Sequence, residues 1–518
     1  MHLAKSNAIS LIGLTGTVVE VEADISSNLP GFVLVGLPDA SLSEASARVR
    51  AAIVNSGLTL PARKITVNLS PAAVPKFGSS FDLAIAVSVL AANKPFANSR
   101  LEQCIHIGEL ALDGSVRAVN GVLPAVIAAR SAGFSCAVVP AANAAEAKLV
   151  SGIEICAVNN LRQAVHIHDH SVSADQVIEV FENEVEAETS SDKDIADIFG
   201  QDAAVESMVV AAAGGHHMLM VGSPGVGKTM MAERFSSLLP DLTLESSIET
   251  TAVHSIAKSR GLIGSTLISR PPFEAPHHTA SATSLIGGGS GMPNPGLVSL
   301  AHNGVLFLDE APEFQQPALE VLRQALESGE VLISRSAGIA RFPARFQLLL
   351  AANPCPCGNA LNPKVQCVCT AVAKSRYLNR LSGPLLDRVD IRLQIQSINA
   401  TQALIARERG GQQSSQEARQ RVIAARALAA ERLAGTGFSL NSQVPAALLR
   451  RRFAAPKKAT RALDLSLQRG VISMRGYDRC LRLAQTLADL DGVVAIDESH
   501  ISRAVLLRGS EQLMRQAA

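Results

Sequence analysis

"GSPGVGKT", Gly222 to Thr229, is the stretch on which the fold turns. It matches G-x-x-x-x-G-K-[ST], follows the apolar run "HMLMV" (217–221) and leads into "TMMAERFSSLL" (229–239). Strand, glycine loop and helix in that order are the context a phosphate-binding loop requires. Its glycines let backbone N–H groups close around phosphates, and the helix N-terminus adds its dipole. Gly222, Ser223, Pro224, Gly225, Val226, Gly227, Lys228, Thr229 and Met230 are the expected nucleotide-binding residues. Lys228 would neutralise the β- and γ-phosphates of ATP, and Thr229 would hold Mg2+. A chance glycine loop would need neither the strand nor the helix.

Downstream, "NGVLFLDEAPEF" (303–314) places four apolar residues, Val305 to Leu308, before Asp309 and Glu310. A buried strand ending in two carboxylates is costly unless a cation sits beside it. Asp309 is expected to bind the magnesium through water, and Glu310 to orient and polarise the attacking water. "FQLLLAAN" (346–353) ends in Asn353, a candidate contact to the γ-phosphate or that water, although asparagine commonly ends strands.

The whole chain is 518 residues, 47% hydrophobic and 18% charged, enough for two or three domains with their own cores. Net charge is +1, so any nucleic-acid surface must be local. With 3% aromatic residues and no Trp, base stacking is a poor candidate for the main mode of contact. No apolar run reaches the roughly 18 residues of a membrane span, and the N-terminus lacks an export cleavage site. A cytoplasmic protein is expected.

Residues 1–172 alternate between apolar periods of 2 and 3.6, which predicts an α/β or α+β domain. Residues 173–197 read as an acidic, solvated linker, with nine Asp or Glu against one Lys from Asp175 to Asp197. The P-loop α/β unit follows over 198–398, and 399–518 is helical, with thirteen Lys or Arg against seven Asp or Glu from 441 onward.

"VGLPDASLSEASARVRAAI" (35–53), "RPPFEAPHHTASATSLIGGG" (270–289), "SLAHNGVLFLDE" (299–310), "ANPCPCG" (352–358), "LSGPLLDRVDI" (381–391) and "SMRGYDRCLRLAQTLADL" (473–490) together resemble the ComM (YifB) family, within the magnesium-chelatase-like AAA+ ATPases. The resemblance covers nearly the whole chain. It implies an AAA+ core with a helical lid, assembled as a homohexameric ring that moves on single-stranded, duplex or branched DNA. The implied task is branch migration by a helicase-like motor, promoting homologous recombination during natural transformation, with recombination proteins as candidate partners. It also implies an arginine finger at Arg388 and a sensor arginine at Arg475, the former offered to a neighbouring subunit's nucleotide. An ion pair of Arg388 with Asp387 or Asp390 is the plain alternative. A chelatase-type ATPase remodelling a protein or metal-insertion complex is the competing function that a P-loop domain alone permits.

The same resemblance makes "EVLISRSAGIARFPARFQ" (330–347), which reads as strand, turn and strand, a hairpin lining the ring's channel. Arg335, Arg341 and Arg345 would then touch DNA phosphates without reading sequence; a solvated face is the alternative. The glycines and prolines of "RPPFEAPHHTASATSLIGGGSGMPNP" (270–295) suggest another mobile loop, a second candidate for the channel, in which His277 and His278 are expected to be solvated, with metal ligation the alternative. "PKFGSSFDL" (75–83) and the segment 108–143 resemble the Lon-type proteolytic domain. Ser80 takes the serine position, but Leu123 stands where the activating lysine would be, so a non-proteolytic scaffold is expected.

Finally, Cys355, Cys357, Cys367 and Cys369 form C-x-C, nine residues, C-x-C. Four thiolates suit a structural, tetrahedral Zn2+, though the pairs are tighter than the usual C-x2-C. Two disulfides, disfavoured in a reducing cytosol, and unligated thiols are the alternatives. The remaining cysteines, Cys104, Cys136, Cys156 and Cys480, read as small core residues.

Overall fold

The computed structural model describes residues 2–36, 39–76, 78–96, 100–173, 193–257, 266–289, 293–335, 338–361, 365–397 and 413–509. The interior of the expected linker (174–192), the expected core–lid boundary at 398–399 and the hairpin turn at 336–337 lie outside them.

The amino-terminal part is built on a mixed seven-stranded sheet. Its two long strands, His2–Ile12 and Thr15–Ser26, pair antiparallel through a tight turn. From His2–Ile12 the sheet continues in parallel through Cys104–His106, Cys136–Pro140 and Glu154–Val158. Thr15–Ser26 alternates half-buried and buried residues, with Val19, Val21 and Ala23 fully inside. The helix Asp82–Asn93 is apolar nearly all round and, as such a pattern demands, buried on almost every face.

The phosphate-loop part is a five-stranded sheet in the order Phe273–Glu274, Val305–Leu308, Gln347–Ala352, Met218–Val221, Ile391–Gln394. Every pairing is parallel. Parallel strands covered on both faces read as continuous apolar runs, and "VLFL" (305–308) and "LLLAA" (348–352) are buried throughout. Parallel order also brings the C-terminal ends of three strands to one edge, delivering Gly222, Asp309 and Asn353 side by side.

The carboxy-terminal part is helical: Ser415–Leu433, Ala446–Arg451, Lys457–Gln468, Met474–Leu490 and Glu498–Leu507. Ser414 and Glu417 form a reciprocal capping box that starts the first of these. Val422, Leu483 and Leu487 share one apolar core with Met208 and Ala212 of the helix Asp202–Gly214. Mixed α/β architecture with parallel strands and a helical C-terminal region matches the expected fold class.

Lys193–Asp197 departs from the solvated linker expected of it. Asp194 caps a short 3-10 turn, Ile195 is buried, and the Ile195 N–H donates to Ser415 Oγ at 2.9 Å. Charge count alone hid one apolar anchor among carboxylates.

The amino-terminal sheet docks on the helix Leu244–Ile256. Ala252 joins the cluster of Ile9, Val122 and Val126. The Gly121 N–H donates to Ser255 O at 2.9 Å, and Ser255 Oγ bonds the Glu146 carboxylate, which also accepts from the Leu123 N–H at 3.0 Å.

Candidate nucleotide site and thiol cluster

Gly225 and Gly227 take left-handed φ values of +79° and +91°, which glycine alone adopts without strain. They turn the chain from Val221 into the helix Lys228–Phe235. Lys228 is buried, its ammonium donating to Gly222 O at 2.6 Å, Ser223 O at 3.0 Å and Asn353 Oδ1 at 3.1 Å. Burial lowers its pKa, and the charges of Asp309 and Glu310 partly oppose that. A buried cation held only by neutral oxygens suits an incoming phosphate. Ser223 Oγ, also buried, has no hydrogen-bond partner among the described residues, and a phosphate oxygen in the same cradle would satisfy it.

Thr229 Oγ1 donates to Asp309 Oδ2 at 2.6 Å, so the two expected magnesium contacts meet across 80 residues of sequence. Both are oxygen donors, the type Mg2+ takes, together with substrate phosphates and water. Glu310 has φ +50° and ψ +43°, and only Asn303 shares a positive φ among the described non-glycine residues. Such a conformation costs on the order of 1 kcal/mol and persists where surroundings over-determine it. The Glu310 N–H donates to Asp309 Oδ1 at 2.9 Å, which fixes the turn.

Two residues here escaped the sequence. His278, expected to be solvated, sets Nδ1 3.5 Å from Glu310 Oε2. Tyr377 is buried, hydrogen-bonds the Asn353 backbone, and has its pKa raised by burial and by Glu313 and Glu310. No local signal marks either one: each reaches the site through the fold, from 32 and 24 residues away.

Arg388 and Arg475 are not brought to the phosphate loop of their own chain. Arg388 ion-pairs with Glu327 and donates to Pro384 O at 2.6 Å. Neither Asp387 nor Asp390 is its partner. Asp387 lies 3.2 Å from Arg475 Nη1, and Asp390 is buried between His216, at 2.9 Å, and Arg479. Burial would raise the Asp390 pKa, but the His216 hydrogen bond and the charges of His216, Arg479 and His217 hold it well below the carboxylate range. Burial lowers the pKa of Arg388, Glu327 opposes this, and Arg323, Arg479 and Arg475 add to it. The result is a cluster of arginines, each paired with a carboxylate, where core and helical part meet.

The expected hairpin is present as Glu330–Arg335 paired antiparallel with Gly338–Pro343. Arg335 and Arg341 project from it, exposed, as do Leu332 and Ile339. Arg345 is exposed but lies past the hairpin's end, its backbone N–H donating to His302 Nδ1 at 3.0 Å. The second loop approaches the first: a Cβ on Gly288 would lie 3.3 Å from Arg335 Nη2. The turn at Gly13 of the amino-terminal sheet packs so closely that a Cβ there would sit 2.5 Å from Arg341 O.

The sulfurs of Cys355, Cys357, Cys367 and Cys369 all lie within 4.8 Å of one another. Three separations are 3.4, 3.7 and 3.7 Å. Ligands about 2.3 Å from a tetrahedral zinc stand about 3.8 Å apart, so the donor set fits Zn2+. Backbone N–H donation from Asn359 lowers Cys357 to about 6, whereas burial pushes Cys355 to about 12. The cluster sits on the phosphate loop itself: a Cβ on Gly358 would lie 2.5 Å from Pro224 Cδ. In the other part of the chain, Cys104, Cys136 and Cys480 are buried and Cys156 half-buried. Ser80 is half-buried and Leu123 fully buried. Among the described residues no helix is long and apolar enough to cross a membrane.

Family models match the chain in three consecutive stretches. They are described as "Subunit ChlI of Mg-chelatase" (residues 21–143), "Magnesium chelatase, subunit ChlI" (194–403) and "Magnesium chelatase, subunit ChlI C-terminal" (412–508). An uncharacterized protein of Mycobacterium tuberculosis is 48% identical over 510 residues, covering 98% of this chain and 99% of that protein. Competence protein ComM of Haemophilus influenzae is 38% identical over 517 residues, 100% of this chain and 99% of the relative. YifB of Escherichia coli is 37% identical over 521 residues, 99% and 98% respectively.

Proposed function

Because the chain belongs to the ComM/YifB family of magnesium-chelatase-like proteins, aligning with its relatives from end to end, we propose that it is an ATPase that assembles into a homohexameric ring and drives branch migration of DNA. The observation that carries this reading is the incompleteness of the nucleotide site in one chain. Lys228, Thr229, Asp309, Glu310 and Asn353 converge, while Arg388 and Arg475 pair with Glu327 and Asp387 instead. A neighbour presenting its Arg388 and Arg475 would complete the site.

In that ring Lys228 would neutralise the β- and γ-phosphates, and Thr229, with Asp309 through water, would hold the Mg2+ that supplies further charge neutralisation there. Glu310 takes the position of the group that orients and polarises the attacking water. Arg388 of the adjacent chain meets the charge that develops on the γ-phosphate, which makes hydrolysis conditional on assembly. Arg335 and Arg341, with Arg345 at the hairpin's base, would contact DNA phosphates. The four thiolates hold a structural Zn2+. The amino-terminal part serves as a non-proteolytic scaffold, since a serine without a base is a poor nucleophile. Its task on this reading is the integration of incoming DNA by recombination in the cytoplasm during natural transformation; support comes from the full-length similarity to a relative named "Competence protein ComM".

A second reading has specific support, because all three family models describe a magnesium-chelatase subunit. On it, ATP hydrolysis would remodel a protein or metal-insertion complex. Strand exchange on a branched DNA substrate separates the two. Wild type should exchange strands with DNA-stimulated ATP hydrolysis, and Glu310→Gln should bind ATP and do neither. ATPase activity indifferent to DNA, with no strand exchange, would sink the motor reading and favour the second.

A further inference from the structure

The segment carrying the cysteines has little of its own to hold it. Between Asn353 and Thr370 the described residues form no helix or strand, and only Pro354, Cys355 and Gly358 are buried. An apolar core cannot fix such a stretch, and four neighbouring thiols supply none of the missing packing. Yet the segment touches the phosphate loop twice. Asn353 Oδ1, two residues before Cys355, accepts from Lys228 Nζ at 3.1 Å. Gly358, one residue after Cys357, lies under Pro224, and its φ of +76° excludes side chains as firmly as the contact does. A turn closed by the Gly358 N–H donating to Cys355 O at 2.9 Å joins these two points.

We propose that a zinc ion bound by Cys355, Cys357, Cys367 and Cys369 acts as a brace for the phosphate loop, so that ATP affinity depends on the metal. This rests on the zinc reading above and extends it from a structural ion to control of the nucleotide site. The ion converts a segment without a core into a rigid floor beneath Pro224. It also fixes Asn353, so that the Lys228 ammonium stays aimed into the cradle. Metal binding and local folding are one equilibrium here, as in other small thiolate sites. Removing the metal frees Gly358 and loosens the turn that joins it to Asn353, and the loop loses the support it needs to close its N–H groups around phosphate.

The test uses the full-length protein, elemental analysis for zinc and iron, and a fluorescent ATP analogue to measure affinity. Wild type should carry about one zinc per chain. Stripping it with a chelator should weaken analogue binding by roughly tenfold or more, and adding Zn2+ back should restore it. Gly358→Val keeps all four thiols but drives a side chain into Pro224; it should retain the zinc and show the same loss. Unchanged affinity after verified removal of the metal would overturn the brace, as would wild-type affinity in zinc-loaded Gly358→Val. Purified wild type with well under one metal per chain overturns the zinc reading itself, a result distinct from either.

Discussion

Replacing Arg388 by alanine tests most directly the proposal that neighbouring chains share the nucleotide site. In the single chain its guanidinium pairs with Glu327, a carboxylate 47% exposed. An ion pair this open to solvent contributes about 0.2–1 kcal/mol, so releasing Arg388 costs at most about 1 kcal/mol. A guanidinium set against the γ-phosphate in the transition state accelerates transfer by about 10³–10⁵, on the order of 4–7 kcal/mol. In the transition state, exchanging Glu327 for a neighbour's γ-phosphate would therefore be favourable by about 3 kcal/mol or more. Arg388→Ala should keep ATP binding and lose about 10³ or more in kcat at saturating DNA. Mixing sharpens the experiment. Lys228→Ala lacks the phosphate contact but keeps its arginine, and Arg388→Ala has the reverse defect. In rings assembled from equal amounts, about one junction in four joins an intact loop to an intact arginine. The mixture should recover about a quarter of wild-type hydrolysis, whereas an arginine acting on its own chain would give none. A mixture that stays inactive refutes the reasoning, and so does Arg388→Ala hydrolysing ATP at the wild-type rate.

Other consequences are open to measurement. Asp390→Asn leaves Arg479 without its carboxylate, and breaking a buried pair costs on the order of 3–5 kcal/mol, visible as earlier thermal unfolding. The folded-state pKa of Asp390 is depressed, so its stabilisation is full above about pH 4 and is lost as pH falls further. The gap between wild type and Asp390→Asn should accordingly narrow in acid, and a gap that stays constant down to about pH 3 would contradict this. Alanine at Arg335, Arg341 and Arg345 should flatten the plot of log affinity against log salt for duplex DNA, by up to about 2.7 for three phosphates; an unchanged slope takes the hairpin out of the DNA path. A serine-directed fluorophosphonate should leave Ser80 unmodified, and labelling there would restore the proteolytic alternative.

What could be read from the sequence was what is local. The phosphate loop is a contiguous motif whose glycines, lysine and threonine act within eight residues, and the strands before Asp309 and Asn353 are unbroken apolar runs. Contacts made by the fold were not legible. The sequence offers Arg388 the neighbours Asp387 and Asp390, yet its partner is Glu327, 61 residues away. Asp390 turns inward because His216 and Arg479 wait there, and neither is near it in sequence. His278 looked like a solvated loop histidine because Glu310 approaches it only in three dimensions. Arg345 joined the hairpin on pattern, whereas the strand ends at Pro343. Ile195 was masked by the acidic residues around it, since average charge describes a segment and burial is decided one side chain at a time.

The turn at Gly13 rests against the backbone of Arg341, with Ile12 beside Gly338. A hairpin wedged in this way cannot swing freely under load. If the protein is the motor proposed above, each stroke would either pry that turn loose or haul the amino-terminal sheet along, and the grip of that sheet on the helix Leu244–Ile256 would set the stiffness against which it pulls.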